Sequence, residues 1–239
     1  MEVRDGFIVG IFNYCDRWCE TCAFTSRCRL FADVAEVEAK LDPNLKEVTD
    51  APPLPEEIPP PPPQWMKELI QEMNDATNDP TLDKNEEPRR PPPGHLLIEA
   101  RADDYFTRAH AWLRALAFPL NDVTDPRAVI NWFHLQIVVK VHRAIRGLAE
   151  DDSIDRDWPA DHDGSAKVAL LGIERSHAAW LDAIERGLVA RSDAEPFIAD
   201  LVWLGDALER VFPNARAFVR PGFDEPDAVS MLVAREEET

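Results

Sequence analysis

Glu195-Pro196-Phe197-Ile198-Ala199-Asp200-Leu201-Val202-Trp203-Leu204-Gly205-Asp206-Ala207-Leu208-Glu209-Arg210-Val211 is the stretch whose period decides the fold. Phe197, Leu201, Leu204, Leu208 and Val211 recur at intervals of three and four, so they share one side of an α-helix. A helix with one apolar stripe has to bury it against another element. Three further segments of the same period lie upstream, at about 95–117, 126–149 and 165–187, and the fourth spans 194–212. Each has a start or stop signal. Asp125-Pro126 pairs an N-cap with proline at the first helical position. Gly164-Ser165 opens the third segment, and Ser192 or Asp193 caps the fourth. Gly147 and Gly187 sit near two C-termini, and Pro119 and Pro213 follow the other two. Four helices with short connections predict an all-α protein with a four-helix bundle-like body. Strand signals are nearly absent; Phe7–Phe12 reads as a short strand or an apolar anchor.

Outside the body, charge and proline are unevenly spread. The 239 residues carry 45 acidic and 26 basic side chains, a formal net charge of −19. Residues 31–99 hold 16 acids against 6 bases, and 224–239 hold 6 against 1. Thirteen of the 21 prolines fall between Pro52 and Pro93, in tracts that favour extended polyproline II and cannot join a helix interior or a central strand. Between the tracts, Trp65, Met66, Leu69, Ile70 and Met73 have helical spacing over 64–73. Four regions follow: a four-cysteine head with one amphipathic helix at 1–41, an acidic proline-rich linker with a short helix at 42–94, the bundle at 95–223, and an acidic tail at 224–239. A spacer role for the linker is preferred to that of a proline-rich ligand for an SH3-like partner.

The same composition excludes several classes. No run approaches the ~18 consecutive apolar residues of a membrane span. Met1-Glu2-Val3-Arg4-Asp5 lacks the basic and apolar regions of a signal peptide, so a cytoplasmic protein is expected. The strong acidic balance opposes general binding to nucleic acid. With 45% apolar residues, the chain is too hydrophobic to be disordered throughout.

All four cysteines lie within 14 residues, as Cys15-x3-Cys19-x2-Cys22-x5-Cys28. In a reducing compartment, clustered cysteines are metal ligands more often than disulfides, and thiolates suit zinc and iron–sulfur clusters. A two-residue gap lets one turn aim two sulfurs at one centre, and the five-residue loop returns for another. Four thiolates around zinc or a [4Fe-4S] cluster leave net negative charge, which Arg17, Arg27 and Arg29 are placed to offset. Trp18 and Phe24 are placed to shield the site from water.

Cys19-x2-Cys22-Ala-Phe-Thr-Ser-Arg-Cys28 resembles the motif that binds the [4Fe-4S] staple of CRISPR-adaptation and AddB-type nucleases. It is also similar to the auxiliary-cluster motif of SPASM radical-SAM proteins. The resemblance implies a [4Fe-4S] cofactor and covers about ten residues. Ala23 stands where those families usually have proline, Cys15 would supply a fourth ligand that they take from elsewhere, and the nuclease strands with their Asp and Glu-x-Lys are not visible. Cys15-x3-Cys19-x2-Cys22 matches the bare radical-SAM spacing, but Thr21 replaces the usual aromatic and no strand–helix alternation follows. Phe12-Asn-Tyr-Cys-Asp-Arg-Trp-Cys, with Phe212-Pro-Asn-Ala-Arg and Arg220-Pro-Gly-Phe-Asp, resembles a family of uncharacterised bacterial proteins that brings no function with it.

A second candidate centre lies in the body. Glu99, Asp103 and His110 border the stripe of the first helix, and His134 falls in line with Ile130, Ile137 and Val141. Glu174-x-x-His177 has the i, i+3 spacing of ferritin-like carboxylate bundles, so Glu99, Asp103, His134, Glu174 and His177 form a candidate iron or manganese set. The resemblance is partial, because Asn131-x-x-His134 replaces a second Glu-x-x-His and the fourth helix has no carboxylate on its stripe. The simpler reading makes His134 a hydrogen-bonded core histidine and pairs Glu99 and Glu174 with Arg101, Arg108 or Arg175.

Three other signals do not hold. Asp161-His-Asp-Gly-Ser-Ala-Lys167 lacks the phosphate-loop pattern. The acids of 151–163 lack EF-hand spacing and contain Pro159. Arg127, Lys140, Arg143 and Arg146 make the second helix basic, as a solvated face or as a receiver for the acidic linker, the tail or a partner.

The leading expectation is a [4Fe-4S] cluster on Cys15, Cys19, Cys22 and Cys28, for electron transfer, redox sensing or structural stapling. The alternative is structural zinc in an adaptor whose body binds a protein partner. A third is an enzyme whose bundle acids and histidines do the chemistry.

Overall fold

The computed structural model describes residues 2–41, 64, 67, 68, 71, 92–116, 122–150 and 161–225. The proline tracts as far as Pro91, the apolar positions of the 64–73 helix, Pro119, the acids of 151–160 and the tail beyond Glu225 lie outside the described residues. Gln64, Lys67, Glu68 and Gln71 are helical. Residues 1–35 and 90–239 form one compact unit and 36–89 another.

The head opens with a hairpin. β1 (Val3–Arg4) pairs antiparallel with β2 (Phe7–Ile8), with Val3 opposite Ile8 and Arg4 opposite Phe7. Asp5 and Gly6 between them have φ of 50° and 83°, as a two-residue turn of the I′ type requires. The Asp-Gly pair is a hairpin signal absent from the reading above, which placed a strand only in Phe7–Phe12. Three 3-10 turns follow, Ile11–Asn13, Cys19–Thr21 and Thr25–Arg27. Then comes α1 (Arg29–Leu41), whose apolar stripe leaves Phe31, Val34 and Val37 exposed.

The body has four helices: α2 (Pro93–Arg114), α3 (Pro126–Glu150), α4 (Asp161–Glu185) and α5 (Arg191–Val211). Contacts across each neighbouring pair run in opposite directions along the chain. His110 meets His134 while Asp103 meets His142. Gly147 approaches His162 while Gly172 approaches Ile137, and Ile173 approaches Gly205 while Trp180 stacks on Phe197. Arg101 lies over Trp203 and Arg108 over Phe197. The helices therefore run up, down, up, down, and α5 closes against α2. At the centre, Trp180 is stacked 4.5 Å from Phe197 and lies tilted against Trp112 at 4.6 Å. Buried polar tips are satisfied there: Tyr105 Oη lies 2.7 Å from Ser176 Oγ, and Trp180 Nε1 donates to Tyr105 Oη at 3.4 Å. Among the described residues, no helix is long and apolar enough to cross a membrane.

The helix ends confirm some signals and revise others. Asp125 caps α3, its side chain accepting the Arg127 N–H at 2.8 Å. Gly187, at φ 70°, ends α4 in a Schellman pattern, with Leu188 N–H to Ala183 O and Gly187 N–H to Ile184 O. Gly147 does not end α3: it lies inside the last turns, where a Cβ would stand 3.2 Å from His162 Cβ. α2 starts at Pro93, because proline at the first position needs no donor. α5 starts before Ser192, from an N-cap at Ala190, and Pro196 lies inside it. Gly164 does not open α4, which begins at Asp161 and keeps acids in its first turn. Gly164 is a notch instead. A Cβ there would meet Tyr14 Cδ1 at 2.6 Å and Phe218 Cζ at 2.8 Å.

That notch belongs to a seam on which the head sits. Tyr14 packs 4.7 Å from Phe218 and donates its hydroxyl to Asp161 at 3.1 Å. From the other side, Phe223 lies edge-on to Phe24 at 5.1 Å, and Gly222 leaves room for Ile8 and Ile11. The head is held between the bundle and the segment after α5.

Candidate functional site

The four cysteines line one pocket. Cys19 starts a 3-10 turn and Cys22 follows its end, with Cys22 N–H bonded to Cys19 O at 3.1 Å. Cys28 follows the next turn in the same way, its N–H bonded to Thr25 O. Cys15 is turned inward by a tight bend in which Arg17 has φ 60° and Asp16 Oδ1 accepts the Trp18 N–H at 3.1 Å. The four thiols share the pocket with Phe12, Trp18, Phe24, Phe31 and Phe223, so its wall is largely aromatic. None of the four is in a disulfide.

The electrostatics of the pocket suit thiolates only if a cation is present. Burial pushes up the thiols of Cys15, Cys19 and Cys22, and other cysteines of the group push each of them further. Two backbone donors work in the opposite sense. Arg17 N–H serves Cys15, and Phe24 N–H points at Cys22 Sγ at 3.4 Å. These are the donors that stabilise a sulfur once it is ionised. Among the described residues, no three His, Cys, Asp or Glu side chains stand grouped closely enough to hold a metal ion. The sulfurs line a common space without closing on one point.

Of the arginines expected around the site, Arg17 lines the pocket. Arg27 donates to Gly6 O at 2.8 Å and Arg29 pairs with Asp33 at 2.7 Å, so both are engaged within the head. The larger support comes from α3. Trp132, Gln136 and Lys140 are spaced by four along one face, and each donates to a backbone carbonyl of the head. Trp132 Nε1 reaches Asp16 O at 2.8 Å, Gln136 Nε2 reaches Cys15 O at 3.3 Å, and Lys140 Nζ reaches Asn13 O at 2.9 Å. Trp18 stacks on Trp132 at 5.4 Å, and Arg175 of α4 pairs with Asp16. The spacing of 132, 136 and 140 is visible in the sequence, but nothing in it names the partner more than 110 residues away.

The basic side chains of α3 form a solvated face only in part: Arg143 and Arg146 are exposed, Arg127 is half-buried and Lys140 is buried. Lys140 is buried at 6% exposure. Arg127 is held by Asp125, Arg143 by Asp161, and Arg146 lies 3.4 Å from Glu99.

The five residues of the second candidate centre are not brought together. Glu99 and Asp103 face His142, with Glu99 Oε1 3.0 Å from Nδ1 and Asp103 Oδ1 2.9 Å from Nε2. His134 is elsewhere on the α2–α3 seam. Its Nδ1 lies 2.6 Å from Asn131 O, which leaves Nε2 to accept from His110 Nδ1 at 3.2 Å, beneath Phe106. Glu174 pairs with Arg216 at the surface, and His177 lines the same shallow groove, away from Glu99, Asp103 and His134. The arginines expected as partners are engaged otherwise: Arg101 and Arg108 both bind Asp200, and Arg175 binds Asp16. Asp200 also corrects the reading of α5. That helix does bury a carboxylate, 3% exposed, and two guanidinium groups of α2 compensate its charge.

Next to the thiol pocket is an open cleft of about 710 Å³. It shares Trp18, Cys22, Phe24 and Phe223 with that pocket and is floored by Phe133 and Ala179. No protein-family model matches the chain, no curated protein matches it, and no solved structure matches it.

Proposed function

We propose that Cys15, Cys19, Cys22 and Cys28 hold a [4Fe-4S] cluster that serves electron transfer, redox sensing or structural stapling of the head. The observation that supports this reading is that all four cysteines line one aromatic-walled pocket. A four-cysteine shell leaves no open coordination position, so the centre serves structure or electron transfer rather than substrate binding. Aromatic walls keep water from an inorganic cluster and set its dielectric surroundings. The Phe24 N–H directed at Cys22 Sγ is the kind of bond that tunes a cluster's potential. The proposed setting is the cytoplasm, where thiols stay reduced, and the proposed partner is a redox or adaptor protein.

Zinc is the second reading, and one observation favours it. The pocket that the thiols line has about 20 Å³, room for a single ion rather than a cluster. Purification without oxygen, a visible spectrum, and assays for iron, sulfide and zinc separate the two. The cluster reading expects a brown protein with about four irons and four sulfides per chain. A colourless protein holding one zinc overturns it in favour of the zinc site, and a protein that takes up neither metal overturns both.

A further inference from the structure

Among the described residues, Lys140 is the one buried cation of the head–bundle seam that has no acid to itself. It is 6% exposed, and among the described residues it makes no ion pair. Among the described residues, its Nζ donates only to the neutral carbonyl of Asn13. Asp161, the carboxylate whose charge reaches it, is taken by Arg143 and by the Tyr14 hydroxyl. Cys15 is the other negative-going group that acts on it. A desolvated ammonium costs far more than one carbonyl bond returns, so an apolar side chain would fill this place better unless an anion forms beside it.

The thiol pocket supplies such an anion when it is filled. Four thiolates around a divalent ion, or around a cluster core of charge +2, carry a net charge of −2. We propose that Lys140 is the counter-cation of this four-thiolate centre and that it couples metal loading to the seating of the head on α3. The proposal rests on the four-thiolate reading and adds a residue that the cysteine motif does not contain. The coupling follows from position. Lys140 sits on the same face as Gln136 and Trp132, whose bonds hold Cys15 O and Asp16 O. A dianion in the pocket pulls the ammonium and the helix face toward the head. An empty pocket leaves that charge buried and unmatched, which favours separation.

The test uses the protein as purified, with metal content measured first, and compares wild type, Lys140→Met and Lys140→Arg. EDTA is added and metal release is timed. Lys140→Met is expected to lose metal faster by on the order of tenfold, as removal of one charge near a dianion of reduced screening implies. Lys140→Arg keeps the charge and is expected to stay near the wild-type rate. Thermal melting of the chelated proteins gives the opposite sign: without metal, Lys140→Met is expected to melt no lower than wild type. Equal release rates for wild type and Lys140→Met overturn the proposal. So does a Met variant destabilised equally with and without metal, because that would make Lys140 a packing residue. A wild-type protein that holds no metal overturns the four-thiolate reading itself, a result the initial assay separates from the others.

Discussion

The head and the bundle are built on different balances. In the bundle, long stripes from four helices meet, and Trp180, Tyr105, Phe133 and Leu204 are almost fully buried. Burial of that kind offsets the entropy of ordering the chain without further help. Among residues 2–35, only Ile8, Ile11 and Tyr14 are buried, and the segment folds as a hairpin, three single turns and the start of α1. So small a set of buried side chains does not hold such a segment in place; units of this size need metals, crosslinks or docking. The head has the means for two of these, four thiols around one space and a seam of donors from α3. The bundle is stable through its own core, whereas the head is stable through what it is attached to.

The largest break in that comparison is Trp180→Ala. It removes the ring stacked on Phe197 and leaves the Tyr105 hydroxyl without its indole donor. Large-to-small changes of this kind cost ~3–5 kcal/mol. Urea denaturation followed by far-ultraviolet circular dichroism should show this loss as a lower midpoint for the whole helical signal. A loss below ~1 kcal/mol would mean that the core collapses around the gap and that the bundle depends less on this stack than its burial indicates.

Gly164→Ala acts on the seam. The added methyl collides with Tyr14 and Phe218, and overpacking typically costs ~1–3 kcal/mol. The strain falls on the head and the segment after α5, because Gly164 faces them rather than the Trp180 stack. The four thiols of Gly164→Ala should therefore react faster with a thiol reagent, while amides of α4 and α5 around Trp180 keep wild-type hydrogen-exchange protection. Equal loosening of both regions would mean that head and bundle open as one unit.

The bundle was readable in the sequence and the seam was not, for a physical reason. The stripe of α5, the Asp125 cap and the Schellman turn at Gly187 are local patterns, imposed by helix period and backbone sterics on neighbouring residues. The seam depends on pairs far apart in the chain. Gly164 has the look of a helix breaker until Tyr14 occupies the space its missing side chain leaves. Lys140 has the look of a surface lysine until the carbonyl of Asn13 covers it. Asp200 falls beside the α5 stripe as an ordinary polar residue, and only Arg101 and Arg108 on another helix explain its burial. The spacing of the cysteines was legible, and so was their candidacy as ligands. The scatter of Glu99, His134 and Glu174 was not, because residues that share a helical face with an apolar stripe can still lie on different seams.

The smallest effect concerns His134, a polar group inside the region that stands by apolar burial. Burial holds its imidazole below the ordinary value of 6.5, and the nearby His110 ring adds to this. Among the described residues, no acid acts on His134 to compensate a proton, and its Nδ1 is engaged with Asn131 O. The native protein then takes this proton less readily than the unfolded chain. Its neutral form contributes stability that is fully present above pH ~6.5 and falls as the pH drops toward the native value, because the unfolded state binds the proton first. His134→Gln removes the titrating group and keeps a side chain able to hydrogen-bond. Urea midpoints of both proteins between pH 8 and pH 5 should converge as the pH falls, since wild type loses a contribution that the variant lacks. Parallel pH curves for the two would show that the imidazole is protonated as easily folded as unfolded. The α2–α3 seam would then be open to water at that point, and the contrast between a bundle held by its own core and a head held by its attachments would have to be redrawn through the bundle itself.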